Sequence, residues 1–473
     1  MEKVDSTNIA GINERVRSWA GPGEHVYPVQ IDRVIIADDA LDALTDEVRT
    51  LSAGRRVLVV ADHTPMRRGQ EDLKALIEDA LARVCELDVR RLPADGGRFH
   101  AKLEVAQWLA EELAGPQAVA AIVSVGSGSI TDVAKYARHL HAEKTGAEVP
   151  FVSFPTAASV TAYTSALAVL TIAGVKRTLP ALPPDVVVCD SRTLADAPRI
   201  MTQAGFGDVL ARGVSYGDWY LANQLGMDDG FSLAPGKLLE QAEQEMLHTA
   251  GGLPAGEQQA VRAVTEALLL SGMAMSIARQ TAPLSGWEHA ISHFLDLTAS
   301  AEGRPTALHG GQVGVATLAS ARAYERAWNE LDTDRLTHDS DEAIYRQTLE
   351  HVFQRFDATV DLRAELWQDL AKKLARRRDA GDARRQFIER KRAGHYDDFI
   401  SQNVKSASAI EEAMQEAGVP RRFCDLNEPI AAELAESAVR FAHLIRARFT
   451  LGDLLSECGW LEAGTATLLK DLI

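Results

Sequence analysis

The chain is poor in the features that mark several common protein classes. It has four cysteines in 473 residues, Cys85, Cys189, Cys424 and Cys458, far apart and without a CxxC pair. That excludes a disulfide-stapled frame and a thiolate zinc knuckle, and the thiols read as buried groups of a reducing, cytoplasmic compartment. Basic residues are outnumbered, 50 Lys and Arg against 67 Asp and Glu, for a net charge of −17. Nucleic acid is a poor partner for that field, because phosphate backbones are bound through clustered cations. No run of about 18 apolar residues occurs, so no membrane span is expected. The opening MEKVDSTNIAGINERVRSWAG is polar, and no signal peptide is expected either. What is there is a globular composition, 46% hydrophobic and 25% charged, which excludes disorder as a description of the whole. The length suits two or three domains.

Strand-like and helix-like segments alternate from about residue 33 to 190. RVLVVA (56–61), AVAAIVSV (118–125) and VPFVSFP (149–155) are short apolar runs bounded by Gly, Pro or charged residues, as buried parallel strands are. Between them EDLKALIEDALARV (71–84) and KLEVAQWLAEEL (102–113) carry apolar residues at three- and four-residue spacing, which predicts crossover helices. After about residue 200 the strand signal stops. GKLLEQAEQEMLHTA, AVRAVTEALLLSGMAMSIA, DEAIYRQTLEHVFQRF and RAELWQDLAKKLARRRD are helical in period and length. The expectation is an α/β half over 1–200 followed by an all-helical half over 201–473. The basic run 372–395 reads as a solvated helix face or subunit contact.

Three segments carry candidate chemistry. VAAIVSVGSGSITDVAKYARHL sets Gly126, Ser127 and Gly128 between a strand and a helix, where small residues and helix N–H groups suit a phosphate. A GxGxxG fingerprint is missing, since Thr131 stands at its third glycine, so a plain strand–helix turn fits as well. Asp62 ends the strand VLVVA, placed either to hydrogen-bond a ribose hydroxyl or to cap its own loop. SFPTAASVTAYTS (153–165) offers Thr156, Ser159 and Thr161 to a phosphate or a nicotinamide amide, or is an ordinary polar loop.

The sharpest pattern lies in the helical half. SGWEHAISH sets His289 and His293 one helical turn apart, with Ser285 and Glu288 fitting a capping box at the start of that helix. LHGGQVGVA supplies His309 near the start of another helical run, and AGFGDVLARG holds Asp208. One carboxylate and two imidazoles suit Zn²⁺, Fe²⁺ or Ni²⁺ and leave positions open for a substrate oxygen. Taken singly, each histidine is equally at home as a core or surface residue.

The succession GSGSITDVAK, PTAAS, GVKRTLP, PPDVVVCD, GFGDVLAR, SGWEHAISH and LHGGQVGVAT, with IRARFTLGDLL (445–455) near the end, resembles the sn-glycerol-1-phosphate dehydrogenases. These form a branch of the dehydroquinate synthase, glycerol dehydrogenase and iron-dependent alcohol dehydrogenase superfamily. The resemblance spans about residues 30–460. It implies a dehydroquinate synthase-like fold: an α/β nucleotide-binding domain, 1–200, and an all-α domain for metal and substrate, 201–473. It implies that Asp208, His289 and His309 hold one divalent metal, Zn²⁺ before Ni²⁺ or Fe²⁺, and that His293 serves as proton relay or phosphate contact. Gly126, Ser127 and Gly128 would hold the pyrophosphate of NAD(H) or NADP(H), Asp62 the adenosine ribose, and Thr156 and Ser159 the nicotinamide side. Asp132 and Lys135 would support the glycine turn.

The implied reaction is reversible reduction of dihydroxyacetone phosphate to sn-glycerol 1-phosphate, by a homo-oligomer in the cytoplasm. Arg212 and the pair Lys176–Arg177 are candidate phosphate cations or plain surface ion pairs. Two residues depart from the pattern: Thr161 stands where the family has an Asp facing the substrate hydroxyls, and Gly311 stands for a Glu. Losing a strong acceptor beside a diol changes discrimination. The alternatives are another hydroxy or carbonyl substrate, a dehydroquinate-synthase-like sugar-phosphate cyclase, or a binding protein that keeps its metal for structure.

Overall fold

The structure, a computed structural model, describes residues 4–93, 99–337 and 341–473. The strands are β1 (Arg33–Ala37), β2 (Arg56–Ala61), the two-residue pair β3 (Arg67–Arg68) and β4 (Glu71–Asp72), β5 (Glu86–Arg91), β6 (Ala121–Gly126), β7 (Phe151–Pro155), β8 (Leu167–Ile172), β9 (Val175–Pro180) and β10 (Val186–Asp190). Six of them form one sheet in the order β1-β10-β7-β6-β2-β5, every neighbouring pair parallel. The three apolar runs singled out in the sequence are β2, β6 and β7, and every residue of β6 and β7 is buried, as a sheet covered on both faces requires.

Alternation along the strands feeds two apolar layers. Val57, Val59, Val123 and Val125 pack with Leu44 and Val48 of α2 (Leu41–Ser52) and Ile77 of α3 (Leu73–Leu81). Leu58, Val60 and Ile122 pack with Leu109 of α4 (Leu103–Leu113) and Val133 and Ala137 of α5 (Gly128–Thr145) on the other side. The helices α6 (Ser191–Asp196) and α7 (Arg199–Leu210) follow β10.

The chain forms two compact units, divided differently from the expected break at residue 200. Unit 1 holds Met1–Ile172, Lys176–Val209 and Leu233–Gln280; unit 2 holds Ala173–Val175, Leu210–Ser232 and Thr281–Ile473. The helices α9 (Ala234–His248) and α10 (Gln258–Ala278) thus go with the α/β layers. Period identified them as helices but not their partners. Thr164 donates to the Leu269 carbonyl at 2.5 Å, Ser276 takes the Ala166 N–H at 2.8 Å, and a Cβ on Gly272 would collide with the Thr164 hydroxyl. α10 also amends the expectation that no segment has membrane length. It is long and apolar enough to cross one, yet 89% of its most apolar window is buried inside the structure, as in a core helix.

Unit 2 is helical, as expected. It includes α8 (Arg212–Gln224), α11 (Trp287–Ala301), α12 (His309–Ala327), α13 (Glu342–Gln354), α14 (Val360–Asp379), α15 (Gly381–Arg392), α16 (Asp397–Asn403), α17 (Ala407–Glu416), α18 (Ala432–Phe441), α19 (Leu451–Glu457) and α20 (Trp460–Leu469). The basic run is only partly a solvated face. Lys372, Arg378 and Arg385 are exposed, but Lys373 is buried against Asp453 at 2.6 Å and Arg377 against Glu457 at 2.9 Å. Those two pairs tie α14 to α19.

Candidate active site

Asp208 lies in the last turn of α7, two residues before the chain enters unit 2, and is buried. His289 lies in the first turn of α11, and His309 is the first residue of α12. One donor atom from each of Asp208, His289 and His309 lies within 4.8 Å of the other two. The His309 ring centroid is 5.1 Å from that of His289. His293, one turn along α11, stacks on His309 at 5.5 Å and 10° and stays outside the trio.

Hydrogen bonds behind the rings orient both imidazoles. Glu288 Oε1 lies 2.9 Å from His289 Nδ1, so Nδ1 carries the proton and Nε2 keeps its lone pair. Around His309 the assignment runs through three side chains. Gln312 donates its amide to Asp296 Oδ1 at 3.1 Å, which turns its Oε1 to the Ser292 hydroxyl at 2.7 Å. Ser292 donates there and accepts from His309 Nδ1 at 3.0 Å, so Nδ1 carries the proton and Nε2 keeps its lone pair. Backing of this kind raises ligand basicity and fixes ring direction. A buried carboxylate with two imidazoles so directed fits a divalent cation of borderline softness.

The capping box expected at α11 is replaced. Gly286 is the N-cap; its N–H donates to Glu288 Oε1 at 2.6 Å, while Asp218 of α8 takes the Trp287 N–H at 2.8 Å, the part assigned to Ser285. The Ser285 carbonyl accepts from Arg448. A buried carboxylate from a neighbouring helix therefore supplants the local hydroxyl, and a Cβ on Gly286 would meet Asp218 Oδ2 at 2.7 Å and Glu288 Oε2 at 2.8 Å.

In unit 1, Gly126 ends β6, Ser127 is the N-cap of α5 without a side-chain cap bond, and Gly128 begins the helix. Both glycines are required by packing: a Cβ on Gly126 would meet Ile130 at 2.5 Å, and one on Gly128 would collide with Val160. Thr156 follows β7 and donates its N–H to the Gly126 carbonyl at 3.2 Å, which brings the two turns side by side. Ser159 is buried, 3.4 Å from the Tyr163 hydroxyl, and Thr161 opens a short 3₁₀ turn, Thr161–Tyr163. Lys135 braces this region from beneath: wholly buried, it meets Asp132 at 2.8 Å and the carbonyls of Ala162, Ser165 and Leu167 at 2.7, 3.1 and 2.5 Å. Asp62 pairs with Lys74 at 2.8 Å and accepts from the Thr64 hydroxyl at 2.6 Å, so it braces its own loop. Burial pushes its pKa up, but the Lys74 and Thr64 bonds outweigh that and hold the carboxyl below its ordinary range.

The model of the iron-containing alcohol dehydrogenases matches residues 35–198. The glycerol-1-phosphate dehydrogenase (NAD(P)+) of Geobacillus stearothermophilus is 31% identical over 317 residues, 66% of this chain and 75% of that protein. The chain belongs to the glycerol-1-phosphate dehydrogenase family. It is a dehydrogenase of the iron-containing alcohol dehydrogenase superfamily. The family member of Geobacillus thermodenitrificans is 27% identical over 446 residues, 93% of this chain and 96% of that one. Among solved structures, a sulfoacetaldehyde reductase of Bifidobacterium kashiwanohense in complex with NAD+ overlays with a TM-score of 0.59 at 16% identity, covering 95% of this chain and 99% of that one. A glycerol dehydrogenase of Schizosaccharomyces pombe gives 0.56 at 16% identity, covering 95% and 93%. These two likenesses show the fold.

Several residues that shape the site of this family member escaped the sequence reading. Ser292 and Gln312 each lie three positions past a histidine of the trio, a spacing that puts them on the same helix face, so period held the signal. Asp218 had no local signal, because its partners are Trp287, Tyr324 and Leu451, all distant in sequence. Burial and then the charge of Glu288 push its carboxyl up to about 7, against hydrogen bonds from Tyr324, Trp287 and Leu451 that pull down. The charged groups around it are Glu288 and Arg448. The folded protein thus keeps a proton that the unfolded chain releases near 3.8. This carboxyl favours the folded state in acid, and its contribution is lost as pH rises from about 4 to about 7. Asp218→Asn is expected to flatten that decline, measured as denaturant midpoints at about pH 5 and about pH 7.5.

Proposed function

We propose that this dehydrogenase reduces dihydroxyacetone phosphate to sn-glycerol 1-phosphate, reversibly, with NADH or NADPH and one divalent cation. The observation that carries the reading is the convergence of Asp208, His289 and His309 with both imidazole Nε2 atoms left as donors, in a chain of the glycerol-1-phosphate dehydrogenase family. The cation, Zn²⁺, Ni²⁺ or Fe²⁺, supplies Lewis acidity to the substrate oxygen, and the nicotinamide supplies the hydride. Every other function falls to side chains of the chain itself. Glu288 and the Ser292–Gln312–Asp296 series keep the two histidines pointed at the cation. His293 Nδ1 accepts a hydrogen bond from Arg446, which leaves the ring's own proton on Nε2, where it serves as a hydrogen-bond donor to a substrate oxygen.

Gly126, Ser127 and Gly128 at the start of α5 receive the pyrophosphate, where backbone N–H groups and the absence of side chains allow close approach. Thr156 and Ser159 serve the nicotinamide side. Asp62 serves the ribose, and its ion pair with Lys74 softens the repulsion that a bare carboxylate would exert on a 2′-phosphate. Thr161 offers a neutral hydroxyl to the substrate in the place of the family carboxylate.

Enantiomer-resolved analysis of the product from dihydroxyacetone phosphate tests this reading. The sn-1 phosphate as sole product is the expected result; the sn-3 phosphate, or a product that leaves the nicotinamide unchanged in net terms, contradicts it.

A further inference from the structure

We propose that Arg446 is the cation that binds the phosphate of the substrate, a group no motif reading assigned. The inference rests on the reading above that the substrate is a phosphomonoester. Arg446 follows the 3₁₀ turn Ala442–Ile445, and its guanidinium donates to His293 Nδ1, with the same Nη2 at 3.4 Å from Nε2. The His293 ring in turn stacks on His309 at 5.5 Å. Arg446 therefore lies one imidazole ring beyond a residue of the metal-binding trio. In dihydroxyacetone phosphate, one methylene and one ester oxygen separate the carbonyl carbon from phosphorus. A carbonyl placed at the trio thus puts its phosphate about a ring's width away, where this guanidinium stands.

Charge and chemistry point the same way. The side chains behind the trio are mainly acidic or neutral, Glu288, Asp218, Asp296, Ser292 and Gln312. The one cation among them, Arg448, is engaged by Thr281 and the Ser285 carbonyl, so a dianion entering here requires a further cation close by. A guanidinium presents two parallel N–H donors matched to a phosphate edge.

The backbone that carries Arg446 is anchored. Arg448 donates to Thr281 Oγ1 at 2.6 Å and to the Ser285 carbonyl, and Thr450 forms a capping box with Asp453, itself paired with buried Lys373. The guanidinium of Arg446 is thus presented from a fixed segment while its side chain stays half-buried. Arg212, one of the candidate phosphate cations offered by the sequence beside Lys176–Arg177, lies over the Tyr216 ring at 5.5 Å.

The test is equilibrium binding of sn-glycerol 1-phosphate, and of glycerol for comparison, to the metal-loaded protein. Arg446→Gln is expected to weaken the phosphate ester at least about 30-fold while glycerol affinity and metal content stay those of the wild type. Arg446→Lys, which keeps charge without the fork, is expected to weaken it several-fold and covers the case in which the glutamine variant fails to fold. Wild-type affinity for the ester in a folded Arg446→Gln protein, or in Arg446→Lys should the glutamine variant fail to fold, overturns the inference, as does equal loss of glycerol and its phosphate. A wild-type protein that does not prefer the ester over glycerol overturns it too. Arg446-dependent binding without hydride transfer upholds the inference and defeats the proposed reaction instead.

Discussion

His309→Ala is expected to remove the metal and the activity together. The alanine deletes one of three donors and leaves the Ser292–Gln312–Asp296 series directed at an empty position. Two donors hold a borderline cation far less well than three, and Lewis-acid stabilisation is worth several kcal/mol, so kcat/KM should fall at least about a thousandfold. The fold should survive, because His309 begins its helix and is only half-buried. Metal analysis of the purified variant and its turnover measure the two effects. A variant that keeps metal and rate removes His309 from the site.

Lys135→Met should give the largest loss of stability. The ammonium is wholly buried, compensates Asp132 and satisfies three carbonyls of the 162–167 segment. Burial pushes the lysine down and the aspartate up, so the pair is costly to bury but much costlier to break. Removing one partner leaves an uncompensated carboxylate, a loss of about 3–5 kcal/mol. Adding Asp132→Asn should recover part of it, because the two residues share one interaction. Denaturant midpoints measure this. A loss below about 1 kcal/mol would mean that water or another donor already serves those carbonyls. Because the same amine holds the turn bearing Thr161, weaker substrate binding should accompany the loss.

The parts legible in the sequence were those that depend on local pattern. β2, β6 and β7 follow from short apolar runs, α3 and α4 from apolar spacing, and the pairing of His289 with His293 from one helical turn. The trio was a candidate by residue type alone and was singled out by the resemblance, since no spacing joins Asp208 to His309. What escaped depends on side chains meeting across the fold. Asp218 took the capping part expected of Ser285 because a buried carboxylate of the neighbouring α8 accepts the Trp287 N–H. α10 joined the α/β layers because Gly272 and Thr164 fit together, which a period of 3.6 does not encode. Lys373 and Arg377 looked like part of a solvated basic face, and only the fold supplies Asp453 and Glu457 to bury them.

The proposed hydride transfer needs a cation at Asp208, His289 and His309. The direct test strips the protein of metal, reloads it separately with Zn²⁺, Ni²⁺ and Fe²⁺, and follows NADH and NADPH oxidation with dihydroxyacetone phosphate. Activity that disappears on stripping and returns with at least one cation is the predicted result. Full turnover by the stripped protein, or no turnover by any reloaded form that binds cofactor and metal tightly, would contradict it.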